Sequence, residues 1–287
     1  MHWANACQTI KREMIMKTEA MKKMLEDQIL VQLENGNVPW KKNWEGILDA
    51  PKSLSTGNEY GGFNYFMLAM QNYESPFWGT YKQIKNLKGN VKEGEKGTKI
   101  TFYKTVVKNK DTDDEERFGL LRYFNVFNVD QCENVKIPKR FEPEVNETEN
   151  DYIENCESVI SGYKDCPEIK FGMNPCYIPS KDIVGMPKIN QFQTASDYYD
   201  AMFHEFGHST KSNFRLTRNV SKDREEMVAE LCSFYLCAMT GIESAVIENQ
   251  AAYIKGWSKK IKEDTGMILQ CSSMGWKASQ YILGKHL

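Results

Sequence analysis

Apolar residues recur at Met21, Leu25, Ile29 and Leu33, one every four positions, and Gly36 follows. That spacing lines one face of a helix, and a glycine just past the last apolar residue is a frequent left-handed stop. The period then changes. Thr98–Lys108 (TKITFYKTVVK) and Phe118–Val129 (FGLLRYFNVFNV) alternate and are rich in β-branched and aromatic residues, so both read as strands. The acidic run Asp111–Glu116 between them predicts a hairpin with a charged tip. After Ser196 the chain reads as helical. Ser196 is expected to cap a helix through Tyr199, Met202, Phe203 and Phe206. A second helix is expected from about Asp223 to Thr240, ending at Gly241, and two more over roughly Ser244–Lys262 and Thr265–Leu283. Before Ser196, Glu168–Phe171, Cys176–Ile178 and Asp182–Val184 read as short strands punctuated by Gly and Pro.

The α-then-β block and the mostly helical block are separated by Glu133–Asn155, which is polar, holds two prolines and shows no apolar period. It reads as a linker. At about 100–200 residues per domain, 287 residues suggest two domains, each able to bury a core. The expected division is a possible extension over 1–16, a first domain over 17–133, a linker over 134–155 and a second domain over 156–287. Both domains read as α+β. The first is a helix with a small antiparallel sheet; the second is a short sheet followed by helices.

Composition narrows the function. Apolar residues are 41% and charged residues 26%, an ordinary globular balance. A net charge of −2 excludes a uniformly basic nucleic-acid coat. Any such surface has to be local, and Lys82–Lys110 holds nine lysines against Glu93 and Glu95. No apolar run of about 18 residues exists, so no membrane span or membrane partner is expected. Met1–Lys17 lacks the apolar core of a signal peptide, and the expected compartment is the cytoplasm. The eight cysteines form no C-x-x-C pair and read as reduced thiols.

One motif carries chemistry. Residues 204–208 read His204-Glu205-Phe206-Gly207-His208, an H-E-x-x-H on an expected helix. Residues four apart share a helix face, so both imidazoles can reach one metal ion, with Glu205 beside them as general base. The other histidines, His2 and His286, lie at the termini and are poor ligand candidates. A catalytic metal site needs a third protein ligand and an open position. The next helix carries Glu225-Glu226-Met227-Val228-Ala229-Glu230, which resembles the E-x-x-A-[DE] run of gluzincins. That resemblance implies Glu226 as the third ligand and Glu230 as the carboxylate that orients a histidine. Glu230 as the ligand is the alternative, and a solvated acidic face is the plain one. Zinc is the expected ion, with another divalent ion such as manganese also compatible with two histidines and a glutamate. Glu205 would then take a proton from a water in the open position, for attack on a polarised carbonyl. Gly207 would let another backbone approach the active helix. Asp182–Pro187 is a candidate edge strand for an extended peptide. Arg215 and Tyr253 are candidate oxyanion donors.

The chain also resembles ArdC-type antirestriction proteins in both halves. In the second, the resemblance rests on Tyr177-Ile178-Pro179, Met186-Pro187, Tyr198-Tyr199, His204–His208, Arg215-Leu216-Thr217-Arg218, Glu225–Glu230, Asn249 and Trp257. In the first it rests on Pro39-Trp40, Tyr60-Gly61-Gly62, Asn64, Trp78, Thr80, Gln83, Val91–Gly97 and Phe124–Asn128. The resemblance implies an N-terminal single-stranded-DNA-binding domain joined to a gluzincin-like metallopeptidase domain, and protection of incoming mobile-element DNA from restriction. It also implies an unidentified protein or peptide substrate.

A single-strand surface pairs cations with aromatic platforms. The candidates are Trp40, Lys41, Trp44, Asn64, Trp78, Thr80, Tyr81, Lys82, Gln83, Lys85, Lys96, Lys99 and Tyr103, with Phe102 among the aromatics interleaved with the lysines. Aromatics at such spacings are often core. Two other functions fit the same motifs. One is an intracellular metallopeptidase whose first domain recruits protein substrates. The other is a DNA-masking module with a non-catalytic metal.

Overall fold

The stripe of Leu25, Ile29 and Leu33 lies on α1, a single helix over His2–Glu34 that absorbs the expected N-terminal extension. Gly36 follows it at φ 84°. The computed structural model describes residues 2–41, 50–71, 73–108, 116–137, 149–243 and 250–285, without the side chains of 2–17, 103–108, 116–120, 149–152 and 250. Trp44, most of the acidic hairpin tip and residues 138–148 of the expected linker lie outside the described residues.

The first half continues through β1 (Lys52–Ser53), α2 (Gly62–Ala69), β2 (Phe77–Thr80), α3 (Tyr81–Asn86) and β3 (Asn90–Val91). It then makes the long hairpin of β4 (Thr98–Lys108) and β5 (Glu116–Asn128), followed by β6 (Cys132–Glu133). Four of these strands form a sheet in the order β1-β2-β5-β4, antiparallel except for β1 on β2. Alternation in the hairpin gives it two distinct faces. On one, Ile100, Val126 and Trp78 pack under Leu68 of α2. On the other, Phe77 packs with Ile84 of α3, and Phe127 lies against that cluster.

In the second half, α4 (Glu149–Gly162) leads into β7 (Glu168–Phe171), β8 (Cys176–Ile178) and β9 (Ile183–Met186). The helix thus begins inside the stretch expected to be linker. The sheet order is β7-β9-β8, with β9 parallel to β7 and antiparallel to β8. This corrects the expectation that Asp182–Pro187 forms an edge. Its apolar run is buried at all four β9 positions, as befits a strand covered on both faces, and β7 and β8 form the two edges.

Helices α5 (Ala195–Ser209), α6 (Lys222–Thr240), α7 (Gln250–Glu263) and α8 (Met267–Ile282) complete the chain. Helix α5 starts two residues earlier than expected because Thr194 and Asp197 form a reciprocal capping box. Ser221 caps α6, which ends at Gly241 with φ 77°. Helix α6 is pressed between α5 and α8. A Cβ on Gly207 would meet the Cα of Ala229 at 2.9 Å, and one on Gly275 would meet Cβ of Leu231 at 2.9 Å.

The two domains share a core. Leu25 and Ile29 of α1 and Phe66 of α2 belong to the same apolar cluster as Phe234, Tyr235, Ile261 and Ile268. Polar ties follow the same seam: Tyr235 Oη donates to Gly62 O at 2.9 Å, and both Glu26 carboxylate oxygens accept from Gly266 N at 2.8 Å.

Candidate metal centre

Helix geometry puts His204 and His208 one turn apart on α5, and the Gly207–Ala229 contact lets α6 bring Glu226 up to them. The two Nε2 atoms are 3.2 Å apart. Glu226 Oε2 lies 3.8 Å from His204 Nε2 and 3.6 Å from His208 Nε2. Among the described residues these are the group whose ligand atoms converge, all within 4.8 Å of one another. Two imidazole nitrogens and a carboxylate oxygen are the donor set of a catalytic divalent-metal site, so the residues fit the ion. The His204 imidazole beside it, helped by the nearby His208, lowers the Glu226 carboxyl to about 2 despite partial burial. Burial alone would lower the pKa of His204, but Glu226 and the charges of Glu230 and Glu205 outweigh it and raise the pKa.

Glu205 is buried on the same helix. Burial raises its carboxyl pKa, while the two imidazoles and the backbone N–H of Tyr177 work against that rise. Tyr177 belongs to β8, an edge strand of the small sheet. A cleft of about 690 Å³ lies over the group, lined in part by Tyr177, Pro179, Glu205, Lys211, Phe214 and Glu226. Phe214 is 65% exposed.

The carboxylate that meets a histidine is Glu225, which the residue pattern left unassigned. Its Oε1 lies 3.3 Å from His208 Nδ1. An ionised carboxylate only accepts, so Nδ1 carries the proton and Nε2 keeps its lone pair toward the cluster. Arg218 grips the same carboxylate with Nε at 2.8 Å and Nη2 at 2.6 Å. Burial would raise the Glu225 carboxyl pKa, but His208 and Arg218 bring it below the ordinary value. An adjacent Glu-Glu pair on the helix, with Arg218 seven residues before the first, was the available signal.

Glu230 sits elsewhere, outside the convergent group. It accepts from Tyr253 Oη at 2.7 Å and lies 3.4 Å from Lys41 Nζ. One turn along α6 from Glu226, it faces the domain seam rather than the cleft. Tyr253 is therefore committed there, and Trp40 Nε1 donates to its hydroxyl at 2.8 Å. Arg215 is committed too. Its Nη1 and Nη2 each donate to Asp182 at 2.8 Å, and Nη1 donates to Ser209 O at 3.0 Å. Neither expected oxyanion donor lines the cleft.

The nucleic-acid candidates divide sharply. Trp40 and Trp78 are buried in the core. Lys41 is sealed in an ion pair with Asp200 at 2.8 Å. Thr80 and Gln83 cap α3 through a reciprocal pair of hydrogen bonds. The Asn64 amide accepts from Thr101 N at 2.7 Å and donates to its carbonyl at 2.8 Å, lining the outer edge of β4. Tyr81, Lys82, Lys85 and Lys96 are exposed and Lys99 is half-buried. Lys85 Nζ lies 5.5 Å from the centre of the Tyr81 ring. Trp44 and the Tyr103 side chain lie outside the described residues.

A convergent His-His-Glu group on two crossed helices, beside a small sheet with an open edge, defines a zincin-like domain with a divalent-metal site. Comparison with known families agrees: residues 154–274 match the zincin-like metallopeptidase family, and residues 19–127 match the N-terminal domain of anti-restriction factor ArdC. The first domain thus belongs to the ArdC N-terminal-domain family and the second to the zincin-like metallopeptidase family. A DNA primase TraC of Escherichia coli is 28% identical over 90% of this chain and 26% of the primase. The chain thus spans about a quarter of that relative. An uncharacterised protein, y4eC, of Sinorhizobium fredii is 26% identical over 89% of each chain. The metal-free crystal structure of antirestriction ArdC protein from R388 plasmid matches with a TM-score of 0.73 and 27% identity, over 93% of this chain and 99% of that one. Its Mn(II)-bound structure matches with a TM-score of 0.71 and 26% identity, over 92% and 97%. No helix among the described residues is long and apolar enough to cross a membrane.

Proposed function

We propose that the chain is an antirestriction protein of a mobile element, acting in the cytoplasm, which binds single-stranded DNA through its first domain and carries a zinc-dependent peptidase site in its second. The observation that carries the peptidase half is the convergence of His204, His208 and Glu226 within 4.8 Å, with Glu205 beside them at the floor of an open cleft. When bound, a divalent ion supplies Lewis acidity toward a carbonyl and toward water. The chain's own groups do the rest. The open edge of β8 takes an extended peptide backbone by strand addition. Burial makes the Glu205 carboxylate a stronger base than an exposed one. Glu205 accepts the proton of the attacking water and returns it to the departing amine. Arg218 and Glu225 hold His208 in the tautomer that leaves Nε2 open.

The first domain supports DNA binding by its match to the ArdC N-terminal domain and by a group of exposed lysines around Tyr81. Such binding weakens steeply as salt rises.

The test compares wild type, Glu205→Gln and His204→Ala for metal content and for cleavage of a denatured-protein panel. About one zinc per chain is expected in wild type and in Glu205→Gln, with cleavage in wild type alone. His204→Ala is expected to lose the metal. A folded His204→Ala variant with full occupancy would sink the assigned site, and cleavage by Glu205→Gln at the wild-type rate would sink the general base.

A further inference from the structure

The sheet face under α2 is covered along only part of its length. Ile100 and Val126 are buried there against Leu68, but Phe102 is 53% exposed and Phe124 is 46% exposed. Strand register explains how these two rings meet. Ile100 pairs with Phe124, and Phe102 pairs with Arg122, so all four residues project to one side of the ribbon. The two phenyl centroids lie 6.4 Å apart at 71°. Arg122 is exposed, directly across from Phe102. Nearby, the Asn64 amide bonds both backbone groups of Thr101, which holds the β4 edge in a fixed shape. The rings thus stand on a stiffened ribbon, and little ordering remains to be done on contact.

We infer that Phe102 and Phe124, with Arg122 across the ribbon from Phe102, form a stacking platform for the bases of single-stranded DNA. The inference rests on the DNA-binding reading above and gives it a location that none of the sequence-expected positions Trp40, Trp78 and Lys41 can supply. Base stacking on aromatic rings tolerates any base, because every base has a π-face. In a duplex those faces are already covered, so the platform selects unpaired strands. The cation beside the rings matches the phosphate that accompanies each base. An apolar protein partner would cover the phenyl rings but would leave Arg122 without a counter-charge.

The experiment titrates the full chain into a fluorescein-labelled oligothymidylate and follows anisotropy over a range of salt. Phe102→Ala/Phe124→Ala is expected to weaken binding by about 10-fold or more, while Phe102→Tyr/Phe124→Tyr stays within a few-fold of wild type. Arg122→Gln is expected to weaken binding and to flatten the salt dependence by roughly one phosphate contact. Each variant's melting temperature checks that it is folded. A folded double-alanine variant that binds like wild type overturns the platform and leaves DNA binding elsewhere on the domain. No binding by wild type at low salt overturns the DNA-binding reading and the platform together. A wild-type dimer that the double-alanine substitution dissociates, with DNA affinity unchanged, overturns the platform in favour of contact between copies.

Discussion

Glu225 touches His208 on the side away from the ligand cluster, with 3.3 Å between Oε1 and Nδ1, and Arg218 holds the same carboxylate at 2.6 Å. The relay fixes the ring and its tautomer before any ion arrives. Glu225→Gln removes the charge and weakens the grip of Arg218. Metal affinity is expected to fall about 10–100-fold, as read by competition with a fluorescent chelator. An unchanged affinity in a folded variant would mean that the cluster needs no support from Glu225.

Arg218 is not the only arginine that locks this region. The Arg215 fork is the main reason that the Asp182 carboxyl sits below its ordinary value, with Tyr177 adding to it. A lowered folded pKa contributes stability that is fully present above the unfolded value of about 3.9 and is lost as pH falls through the folded value. Wild type should therefore lose melting temperature below about pH 4. Asp182→Asn keeps the left-handed backbone conformation that Asp182 adopts at φ 51°, because asparagine tolerates it. The variant should be less stable at pH 7, and its deficit should shrink toward pH 3. A deficit independent of pH would show that the charge of Asp182 is not what matters.

Lys41 gives a prediction that separates two roles. Asp200 and Glu230 converge on its ammonium group, at 2.8 and 3.4 Å, with both carboxylates largely buried. Lys41→Met removes the cation and leaves two acids facing each other in a poorly solvated seam. A loss of about 3–5 kcal/mol is expected from denaturant titration. DNA affinity of the folded fraction should not change. A loss of DNA binding with unchanged stability would restore Lys41 to the nucleic-acid surface.

The crossing of α5 and α6 depends on having no side chain at Gly207. Even the Cβ of Gly207→Ala would stand 2.9 Å from the Cα of Ala229, and backbone cannot give way as a flexible side chain does. The helices must separate, costing about 1–3 kcal/mol. Because Glu226 rides on α6, metal affinity should fall along with the melting temperature. A variant that loses stability but holds metal as tightly as wild type would show that the cluster adjusts independently of the helix crossing.

The two histidines and Glu205 were legible because their placement needs only helical spacing, which sequence shows directly. Glu226 was legible through resemblance. Choosing between Glu225 and Glu230 required knowing how α6 crosses α5, and that angle is set by the Gly207–Ala229 contact, which no local pattern reveals. The strands β7 and β8 matched their punctuation, but the apolar run of β9 was compatible with either an edge or a centre. The aromatic candidates failed for a different reason. Trp40 and Trp78 have the composition of a platform, yet large rings are also what a core recruits. Phe102 and Phe124 sit in two paired strands whose alternation continues from the buried Ile100 and Val126 out into solvent. Only the position where α2 ends its cover tells the two pairs apart.

The apolar cluster that runs through α1, α2, α6, α7 and α8 has a genetic consequence. A cut between the halves would bare Leu25, Ile29 and Phe66 on one side and Phe234, Ile261 and Ile268 on the other, so neither fragment could be recombined freely with foreign partners. The selectable module is the pair. The stretch shared with the much longer TraC primase extends over 90% of this chain. The shared stretch thus runs across both halves, as expected of two halves that fold on one core.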